Sequence, residues 1–363
     1  MAAKTRARSE MEKGKGKPLT HGAGDLPAVH VNEYNFELRN RDGFIGDKAN
    51  KRAFQEILER WRKGARGNGL DPLGRKPTAD LSKREIDHFL TKDKSMTAAV
   101  VWSAVEEFAH ELSEVLSRFL AQESWKGTEK IIVGGGFVSS AAGALSIARA
   151  QLILGEQGNA VELIKIRHHP DDAGLVGSAH LLPRWMLKGH KAILAIDIGG
   201  TNIRVGIVLL NRNKAKNLAH AKVYKSRIWR HRDEKPSRTA SVDRLAAMLT
   251  DMIAVASKKK LDLAPAVGIA CPGIVEEEGS IARGAQNLPG GNWEGDHFNL
   301  PEALRKVVPK IGDHDSFFIM HNDAVVQGLS QLPFLTGVSN WGVVTIGTGL
   351  GNAHYTNKPP GNG

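Results

Sequence analysis

Hydrophobic residues recur at helical spacing in two segments near the start of the chain. Between residues 96 and 122 they fall three or four positions apart in one continuous stripe, which predicts a long helix with one buried face. The stripe consists of Val101, Val105, Phe108, Leu112, Val115 and Phe119. A shorter amphipathic helix is predicted over residues 51–62, with Asn50 as its N-cap. The rest of residues 18–95 is rich in charge and turn residues, and no other helix is predicted there.

From residue 130 onward, short apolar runs alternate with amphipathic segments. The runs predict strands at residues 130–137, 160–166, 220–229, 265–273, 316–323 and 341–349, and two strands joined by a glycine turn within 192–210. Helices are predicted between them at residues 140–154, 173–187, 241–257, 300–308 and 325–331, with Ser241 as a candidate N-cap. Such alternation is typical of an α/β protein whose sheets are covered by helices.

Three glycine-rich turns each follow an apolar strand. The first is Asp197–Arg204, the second is Gly347–Gly351 and the third is Gly134–Phe137. Glycine backbone can approach an anion closely and direct its amides at it, and Thr201 and Thr348 add hydroxyl donors. A single turn of this kind is usually a tight hairpin, whereas three of them favour phosphate binding. None matches the P-loop or the dinucleotide fingerprint.

Two aspartates are candidates for chemistry. Asp197 directly precedes the first glycine turn, where its charge would repel a phosphate unless a Mg²⁺ ion lies between the two. Asp323 follows Asn322 at a predicted strand end, just before a helix. It can accept a proton from a hydroxyl nucleophile, or it can merely cap the helix, and the local pattern leaves both interpretations open.

Two polar segments carry weaker signals. The loop 284–295 contains Asn287, Asn292 and Trp293, a combination that suits carbohydrate hydroxyls but also occurs in ordinary surface loops. Trp293 is either a wall for a sugar or a packing residue. In RHHPDDAG (167–174), adjacent histidines on an extended segment point to opposite faces, which disfavours a shared metal ion. Asp171 and Asp172 are therefore expected to cap the following helix.

Composition narrows the class of protein. Lys and Arg outnumber Asp and Glu by 50 to 39, for a net charge of +11, which suits a polyanion partner or an enzyme with anionic ligands. Residues 1–17 carry six basic and two acidic side chains and are predicted to be a disordered basic tail. Cys271 is the single cysteine, which excludes an intrachain disulfide and a cysteine zinc cluster. No apolar run is long enough for a membrane span, so a cytoplasmic location is expected.

Several of these segments resemble motifs of the ROK family of bacterial sugar kinases and repressors, in the actin/hexokinase superfamily. DIGGTNIRVGIV (197–208) is similar to the first phosphate motif, CPGIVEEEGSIARGAQNLPGGNW (271–293) to the sugar loop, NDA (322–324) to the catalytic-aspartate motif and IGTGLG (346–351) to the second phosphate motif. Upstream, EKIIVGGGFVSS (129–140) resembles the adenosine-side glycine motif and PDDAGLVGSAHLL (170–182) the closing helix. The resemblance covers roughly residues 129–187 and 191–357.

The order of these segments differs from that of the family, in which the first phosphate motif begins near the amino terminus. Each segment occurs once, in swapped order, which indicates a circular permutation with KGHK (188–191) as the bridge and new ends after the second phosphate motif. The resemblance then implies two actin-like (ribonuclease H-like) domains with a cleft between them. The larger would comprise residues 18–172 and 322–363, and the smaller residues 173–321.

The resemblance also implies roles for individual residues. Asp323 is the expected general base, Asn287 and Asn322 are expected sugar contacts, and Asp197 is expected to position Mg²⁺ for ATP. The expected nucleotide contacts, besides Asp197, are Gly199, Gly200, Thr201, Asn202, Arg204, Thr348, Gly349, Gly134, Gly135 and Gly136. The family's sugar-contacting segment has no clean match in this chain; GAGDLPAVH (22–30) is a candidate remnant of it and makes Asp25 and His30 weak candidates for sugar contact. The family's zinc site is not expected, because its clustered cysteines are missing.

The function expected from these features is ATP-dependent phosphorylation of a glucose-like hexose. The alternatives are a sugar-sensing regulator, since the family includes repressors, and a nucleic-acid-binding protein, which only the net charge suggests. Residues 1–95 contain no convincing helix-turn-helix, which counts against the regulator. The expected partners are a sugar and a nucleotide, with no membrane, no nucleic acid and a homodimer left open. The sequence leaves the sugar unassigned and does not separate ATP from polyphosphate as the donor.

Overall fold

The computed structural model describes residues 19–41, 43–66, 71–92, 95–295 and 298–359, so the basic tail predicted at residues 1–17 lies outside the described part. The strands are β1 (Val29–Tyr34), β2 (Arg39–Asn40), β3 (Gly43–Phe44), β4 (Lys130–Gly134), β5 (Glu162–Lys165), β6 (Ala192–Ile198), β7 (Ile203–Leu209), β8 (Lys222–Trp229), β9 (Leu263–Cys271), β10 (Ile274–Val275), β11 (Ile281–Arg283), β12 (Lys310–Ile311), β13 (His314–Asp315), β14 (Phe317–Asn322), β15 (Asn340–Ile346) and β16 (Leu350–Asn357).

Helices separate most of the long strands. They are α1 (Lys51–Arg66), α2 (Lys83–Lys92), α3 (Met96–Leu120), α4 (Ala141–Glu156), α5 (Pro170–Gly177), α6 (His231–Glu234), α7 (Arg238–Lys258), α8 (Leu300–Val307) and α9 (Asp323–Leu329). Short 3₁₀ turns lie at Ile45–Ala49, Thr78–Asp80, Glu123–Trp125, Gly136–Ser139, Ser178–Leu181 and Leu332–Phe334. The mixed α/β class expected from the sequence is confirmed.

Two five-stranded sheets form the framework. The central sheet has the order β14-β9-β6-β7-β8, in which β6, β9 and β14 are parallel and β7 is antiparallel to both β6 and β8. The terminal sheet, built from both ends of the chain, has the order β1-β16-β15-β4-β5. There β15, β4 and β5 are parallel, and β16 is antiparallel to β15 and β1. Each sheet is therefore an antiparallel three-strand meander continued by two parallel strands.

The predicted apolar stripe of the long helix α3 is buried, and α3 packs against α1, α2 and α4. Its side chains belong to one large core together with those of α1, α2, α4 and β15. A second core lies between the central sheet and the helices α7 and α8. The parallel strands β6 and β9 are almost wholly buried, which explains their unbroken apolar sequences.

Helices α5 and α9 cross between the two sheets at very short range. A Cβ atom on Gly177 would lie 1.7 Å from the carbonyl oxygen of Val326, so only glycine allows this approach. Helix α5 packs on strands of the central sheet, while α9 packs on β15 and β16 of the terminal sheet. The two helices thus link the sheets at the place where the candidate chemistry lies.

Some local predictions were wrong or incomplete. The helix predicted at residues 173–187 begins at Pro170 and ends at Gly177, because a 3₁₀ turn and Pro183 follow. Helix α7 begins earlier than predicted, and Ser237 rather than Ser241 is its N-cap. His169 caps α5, so Asp171 and Asp172 lie in its first turn. Strands β1 and β16 and helix α2 were not predicted, since their sequences are short or rich in polar residues.

Candidate active site

The two candidate aspartates lie at the same edge of the central sheet. Because β6, β9 and β14 are parallel, their carboxyl ends share one edge. Asp197 pairs in register with Ala270, and Ala270 pairs with His321. Two strand spacings of ~4.8 Å therefore separate Asp197 from His321, a distance of about 10 Å. Asp323 follows two residues after His321, so the carboxylates are brought close together.

Asp197 is buried and is held between β7 and α5. Its carboxylate lies 3.5 Å from the guanidinium of Arg204, its register partner. A Cβ on Gly174 would lie 2.6 Å from this carboxyl group, so the glycine in α5 leaves room for it. Burial raises the pKa of Asp197 to about 6, against the lowering effect of Arg204.

Asp323 is the first residue of α9 and is partly exposed at the edge of the sheet. Burial, together with the negative charge of Asp197, raises the pKa of this carboxyl to about 7. Burial, with contributions from both aspartates, also raises the pKa of the Cys271 thiol at the end of β9. A carboxyl group that titrates near neutral pH has the proton affinity that a general base needs.

Asn322 settles the question of which residue caps α9. Its side-chain oxygen accepts hydrogen bonds from the amides of Ala324 and Val325, at 2.9 and 3.3 Å. Its amide nitrogen donates to the carbonyl of Gly273 at 2.9 Å. Asn322 thus acts as the cap and ties α9 to the loop after β9, while the Asp323 carboxylate accepts a hydrogen bond from the Ala324 amide at 3.0 Å.

The first glycine turn, Gly199–Asn202, lies beside the candidate sugar loop. The amide of Gly199 donates to the carbonyl of Asn202 at 2.9 Å, and Thr201 is half-buried. Asn287 is exposed, and its Cβ lies 3.2 Å from the position that a Cβ on Gly200 would occupy. The turn and the loop residue that were expected to contact different ligands are therefore neighbours.

His231 supports this turn and was not identified from the sequence. It is buried, and its Nε2 atom lies 2.8 Å from the carbonyl oxygen of Gly199. The ring packs edge-on against Trp229 at the end of β8. A histidine 32 positions away in the sequence gives no local signal of this contact.

The second and third glycine turns lie side by side on the terminal sheet. Thr345 pairs in register with Gly134, and Gly135 has a φ of +87°. A Cβ on Gly135 would lie 2.4 Å from the carbonyl oxygen of Ile346, just before Gly347. The third turn, Gly134–Gly136, is thus pressed against the start of the second.

The second turn itself is open toward solvent. Gly347 donates its amide to the carbonyl of Gly349 at 3.0 Å, and Thr348 and Gly349 are exposed. The amide of Lys51, the first residue of α1, donates to the carbonyl of Gly347 at 3.0 Å. The amino end of a long helix therefore touches this turn.

Helix α9 joins the aspartate edge to these two turns. A Cβ on Gly351 would lie 3.2 Å from the Cβ of Ala324, the residue after Asp323. The hydroxyl of Tyr355 in β16 donates to the carbonyl of Val325 at 2.9 Å. Asp323 consequently lies between the central-sheet edge with Asp197 and the strand that follows the second glycine turn.

The guanidinium group of Arg204 contacts two carboxylates, those of Asp171 and Asp197. Its guanidinium forms an ion pair with Asp171 in the first turn of α5 and lies near Asp197. Asp172, the neighbouring residue, has its pKa raised by burial. Arg204 thereby balances charge beneath the first glycine turn, and this partner could not be read from the sequence.

Asp25 and His30 form a pair with each other at 3.0 Å, and Asp25 also contacts Lys358 at 2.5 Å. His30 pairs in register with Thr356, which lies six residues along β16 from Leu350. At ~3.4 Å per residue this is about 20 Å from the second glycine turn. The structure does not bring these two residues to the glycine turns.

Trp293 is buried, packs edge-on against Phe298 and donates its indole N–H to the carbonyl of Pro289 at 2.6 Å. Of the two interpretations of this side chain, packing is the one that its surroundings favour. The carbonyl of the adjacent Asn292 accepts a hydrogen bond from Arg238. These contacts hold the loop 284–295 in place, and Asn287 is among its exposed polar residues.

The oxygen atoms at the first turn suit a small divalent cation. Among the described residues no cluster of three His, Cys, Asp or Glu side chains could hold a metal ion. Mg²⁺, however, usually takes one or two protein oxygens together with phosphate oxygens and water. Asp197 supplies a carboxylate, and the side-chain oxygen of Asn202 is buried and accepts no hydrogen bond from the described residues. This donor set fits Mg²⁺ bound together with a phosphate.

Fold and site together define an α/β protein. It has two five-stranded sheets with the same arrangement of antiparallel and parallel strands, and two neighbouring aspartates among glycine turns. Residues 193–363, just under half of the chain, match the model of the ROK family, which confirms the resemblance carried by the motifs within that range. No curated protein matches the chain. In the described part no helix is both long and apolar enough to cross a bilayer.

Two solved structures have partial similarity. One is a protein from Cytophaga hutchinsonii proposed to be a sugar kinase, with 20% identity and a TM-score of 0.35 over 47% of this chain and 52% of that one. The other is the Lmo2764 protein from Listeria monocytogenes, proposed to be an N-acetylmannosamine kinase, with 23% identity and a TM-score of 0.32 over 46% and 47% of the two chains. The chain thus spans about half the length of each.

Proposed function

We propose that this protein is a sugar kinase that transfers the terminal phosphate of ATP to a hydroxyl of a glucose-like hexose. The proposal rests on one observation: Asp197 and Asp323 lie at one edge of the central sheet, near enough for the charge of Asp197 to raise the pKa of Asp323. The ROK match over residues 193–363 supports phosphorylation of a sugar in general.

Asp323 acts as the general base in this proposal. With a pKa of about 7, its carboxylate can take the proton of the sugar hydroxyl as that oxygen attacks the phosphorus. The hydrogen bond from the Ala324 amide and the cap made by Asn322 fix the carboxylate at the start of α9. Positioning of this kind is the main contribution that a protein makes to phosphoryl transfer.

The glycine turns hold the nucleotide. Gly199, Gly200, Thr201 and Asn202 on one side and Thr348 and Gly349 on the other direct amides and hydroxyls at the phosphates, and Gly134–Gly136 lies along the adenosine. Mg²⁺, bound by Asp197 and the oxygen of Asn202, would neutralise charge on the phosphates. Arg204 keeps the buried Asp197 ionised at neutral pH by offsetting part of the desolvation.

On the sugar side, Asn287 is the residue best placed to contact the substrate, because it is exposed next to the first turn. Asn322 has one side-chain N–H left for a ligand after its contacts with α9 and Gly273. Sugar contact by Asp25 and His30 stays a prediction: the two side chains pair with each other at 3.0 Å, and β1 holds His30 opposite Thr356, away from the glycine turns.

The chain is proposed to be a circular permutant with two actin-like domains, residues 18–172 plus 322–363 and residues 173–321. The middle strand of the central sheet is β6; the strands of its meander, β6, β7 and β8, and then the parallel strands β9 and β14 occur in that order along the chain. The middle strand of the terminal sheet is β15, and the strands equivalent to these five are β15, β16, β1, β4 and β5. The first two of these five therefore come last along the chain. A shared strand order in space with a rotated order in sequence supports the permutation.

A coupled ADP-release assay with Mg-ATP across a panel of hexoses tests the activity. We expect turnover with at least one hexose and its loss in Asp323→Ala, with sugar affinity kept within a small factor. Asp323→Ala with wild-type turnover would remove this residue from the mechanism. Sugar binding without ADP release by the wild-type chain would favour the regulator instead.

A rejoined chain tests the permutation. The backbone amide of Lys358 donates to the carbonyl of Ala28 at 3.0 Å, so a flexible linker from residue 359 that spans the segment before Ala28 can reach residue 19 and close the chain. New ends would be opened at the exposed Gly189, where no atom crowds the backbone. We expect a folded protein with unchanged nucleotide affinity, and failure to fold would count against the proposal.

A further inference from the structure

Helix α2 lies outside the segments that resemble the ROK family. It nevertheless contacts the third glycine turn and the start of α4, which follows that turn. Ile86 and Leu90 on its inner face are buried in the large core, and the helix packs against α3 and α4. Because α2 lies between α1 and α3 along the chain, the sequence did not predict its contact with residues 134–142. The fold brings these distant segments together.

Two polar side chains of α2 reach that turn. The ammonium group of Lys83 lies 2.9 Å from the carbonyl oxygen of Gly136 and 2.9 Å from the hydroxyl of Ser139. One helical turn later, the carboxylate of Asp87 accepts a hydrogen bond of 3.1 Å from the amide of Ala142. Positions four apart share a helix face, so both contacts come from one side of α2.

The contact of Asp87 satisfies a helix terminus. Ala142 is the second residue of α4, and the first amides of a helix have no partner within it. Ser140 caps this end by accepting from the Gly143 amide at 3.0 Å. Asp87 supplies the acceptor for the neighbouring amide, and its negative charge suits the positive end of the α4 dipole.

The third glycine turn is therefore held from two sides. Gly135 is pressed against the backbone of Ile346 on the terminal sheet, and Gly136 is bonded to Lys83. The φ of +87° at Gly135 and the close approach of Ile346 together require glycine at this position.

The segment before α2 is itself fixed by a buried arginine. The side chain of Arg62 is 1% exposed, pairs with both oxygens of Asp71 at 2.9 Å, and donates to the carbonyls of Gly74 and Lys76 at 2.6 and 2.7 Å. Glu85 then closes a capping box with Ser82, accepting from its amide at 2.7 Å. Loop and helix are thus fixed to α1 independently of the glycine turn.

We propose that α2 braces the third glycine turn, and that Lys83 and Asp87 are positioning residues for the nucleotide that this turn binds. The inference rests on the proposed function for the identity of the ligand. Lys83 holds the carbonyl of Gly136 away from the ligand side. Asp87 fixes the start of α4, where the turn ends.

Two pairs of variants test the brace. Lys83→Met removes the ammonium and keeps the stem, with Lys83→Arg as the rescue and Arg84→Met, the next exposed residue, as the matched control. Asp87→Ala removes the acceptor, whereas Asp87→Asn retains an oxygen for the Ala142 amide. Thermal melting of each variant establishes that it is folded.

Two measurements are made on each variant of the full-length chain. Hydrogen exchange reports on the amides of residues 134–142, and calorimetry reports the Kd for Mg-ADP and for a non-hydrolysable Mg-ATP analogue. We expect Lys83→Met and Asp87→Ala to speed exchange at the Ala142 amide and its neighbours by about tenfold. We also expect them to raise the nucleotide Kd by about tenfold, equivalent to ~1.4 kcal/mol. Lys83→Arg, Asp87→Asn and Arg84→Met should stay near wild type.

Each outcome decides a different part of the inference. Unchanged exchange in Lys83→Met and Asp87→Ala would overturn the brace. Faster exchange with an unchanged Kd would overturn the role in nucleotide positioning. A wild-type chain that binds neither nucleotide would overturn the proposed function, and the exchange data would then still decide whether α2 holds the turn.

Discussion

Replacing Asp323 by Asn should make the protein more stable at pH 8 while it removes the activity. Asp323 has a pKa of about 7 in the folded protein and an ordinary value of 3.8, a difference of about three pKa units that corresponds to ~4 kcal/mol. The folded protein holds this proton to higher pH than the unfolded chain does. Stability from the raised pKa is therefore fully present below pH 4 and is lost as the pH rises through 7.

The increase in the free energy of unfolding expected from Asp323→Asn is smaller than the ~4 kcal/mol that corresponds to the full pKa difference. Asp323 is partly exposed, so solvent screens part of the penalty, and the expected stabilisation at pH 8 is ~2 kcal/mol. Asn preserves the shape of the side chain and an oxygen for the hydrogen bond from the Ala324 amide. No other contact of the start of α9 needs to change.

Chemical denaturation at pH 4 and pH 8 measures the effect. Asp323→Asn and wild type should have the same free energy of unfolding near pH 4, and the difference should grow as the pH rises to 8. Asp243→Asn, on the exposed face of α7, is the control and should change little at either pH. An Asp323→Asn variant no more stable than wild type at pH 8 would refute the assignment of a raised pKa to this carboxyl.

Three further substitutions test the rest of the site. Asp197→Asn removes the like charge that raises the pKa of Asp323, so a carboxyl titration followed by NMR should give a lower pKa for Asp323; an unchanged value would mean that the two groups do not interact. Gly135→Ala, which places a Cβ against the backbone of β15 at a φ of +87°, should destabilise the protein by ~2 kcal/mol or more, whereas Gly136→Ala, with open space around it, should be near neutral by thermal melting. His231→Ala should weaken Mg-ADP binding several-fold by releasing the carbonyl of the first glycine turn, and calorimetry with an unchanged Kd would contradict this.

Local patterns predicted much of the secondary structure because each element depends mainly on its own residues. The apolar stripe of α3 has helical spacing and predicts a helix, and the continuous apolar runs of β6 and β9 predict buried strands. Strand β16, LGNAHYTN, was missed because its polar residues are buried by pairing with strands on both sides, a contact that no local pattern contains.

The candidate site likewise contains residues that the sequence predicted and contacts that it did not. The residue types at the three glycine turns and at Asp197 and Asp323 were apparent from the chain, because backbone freedom and carboxylate chemistry are properties of the residues themselves. The partners were not apparent. Arg204 contacts Asp171, His231 contacts Gly199, and Asn322 rather than Asp323 caps α9.

Spacing and side-chain type within a few residues were enough to predict most of the long strands and helices and the turns that can approach a phosphate. Which turns meet depends on the fold as a whole. The contacts at the turns, such as Gly135 with Ile346 and Gly199 with His231, join residues far apart in sequence. They form because whole helices and sheets bury their apolar faces together, and the polar groups at the edges are then paired by that packing.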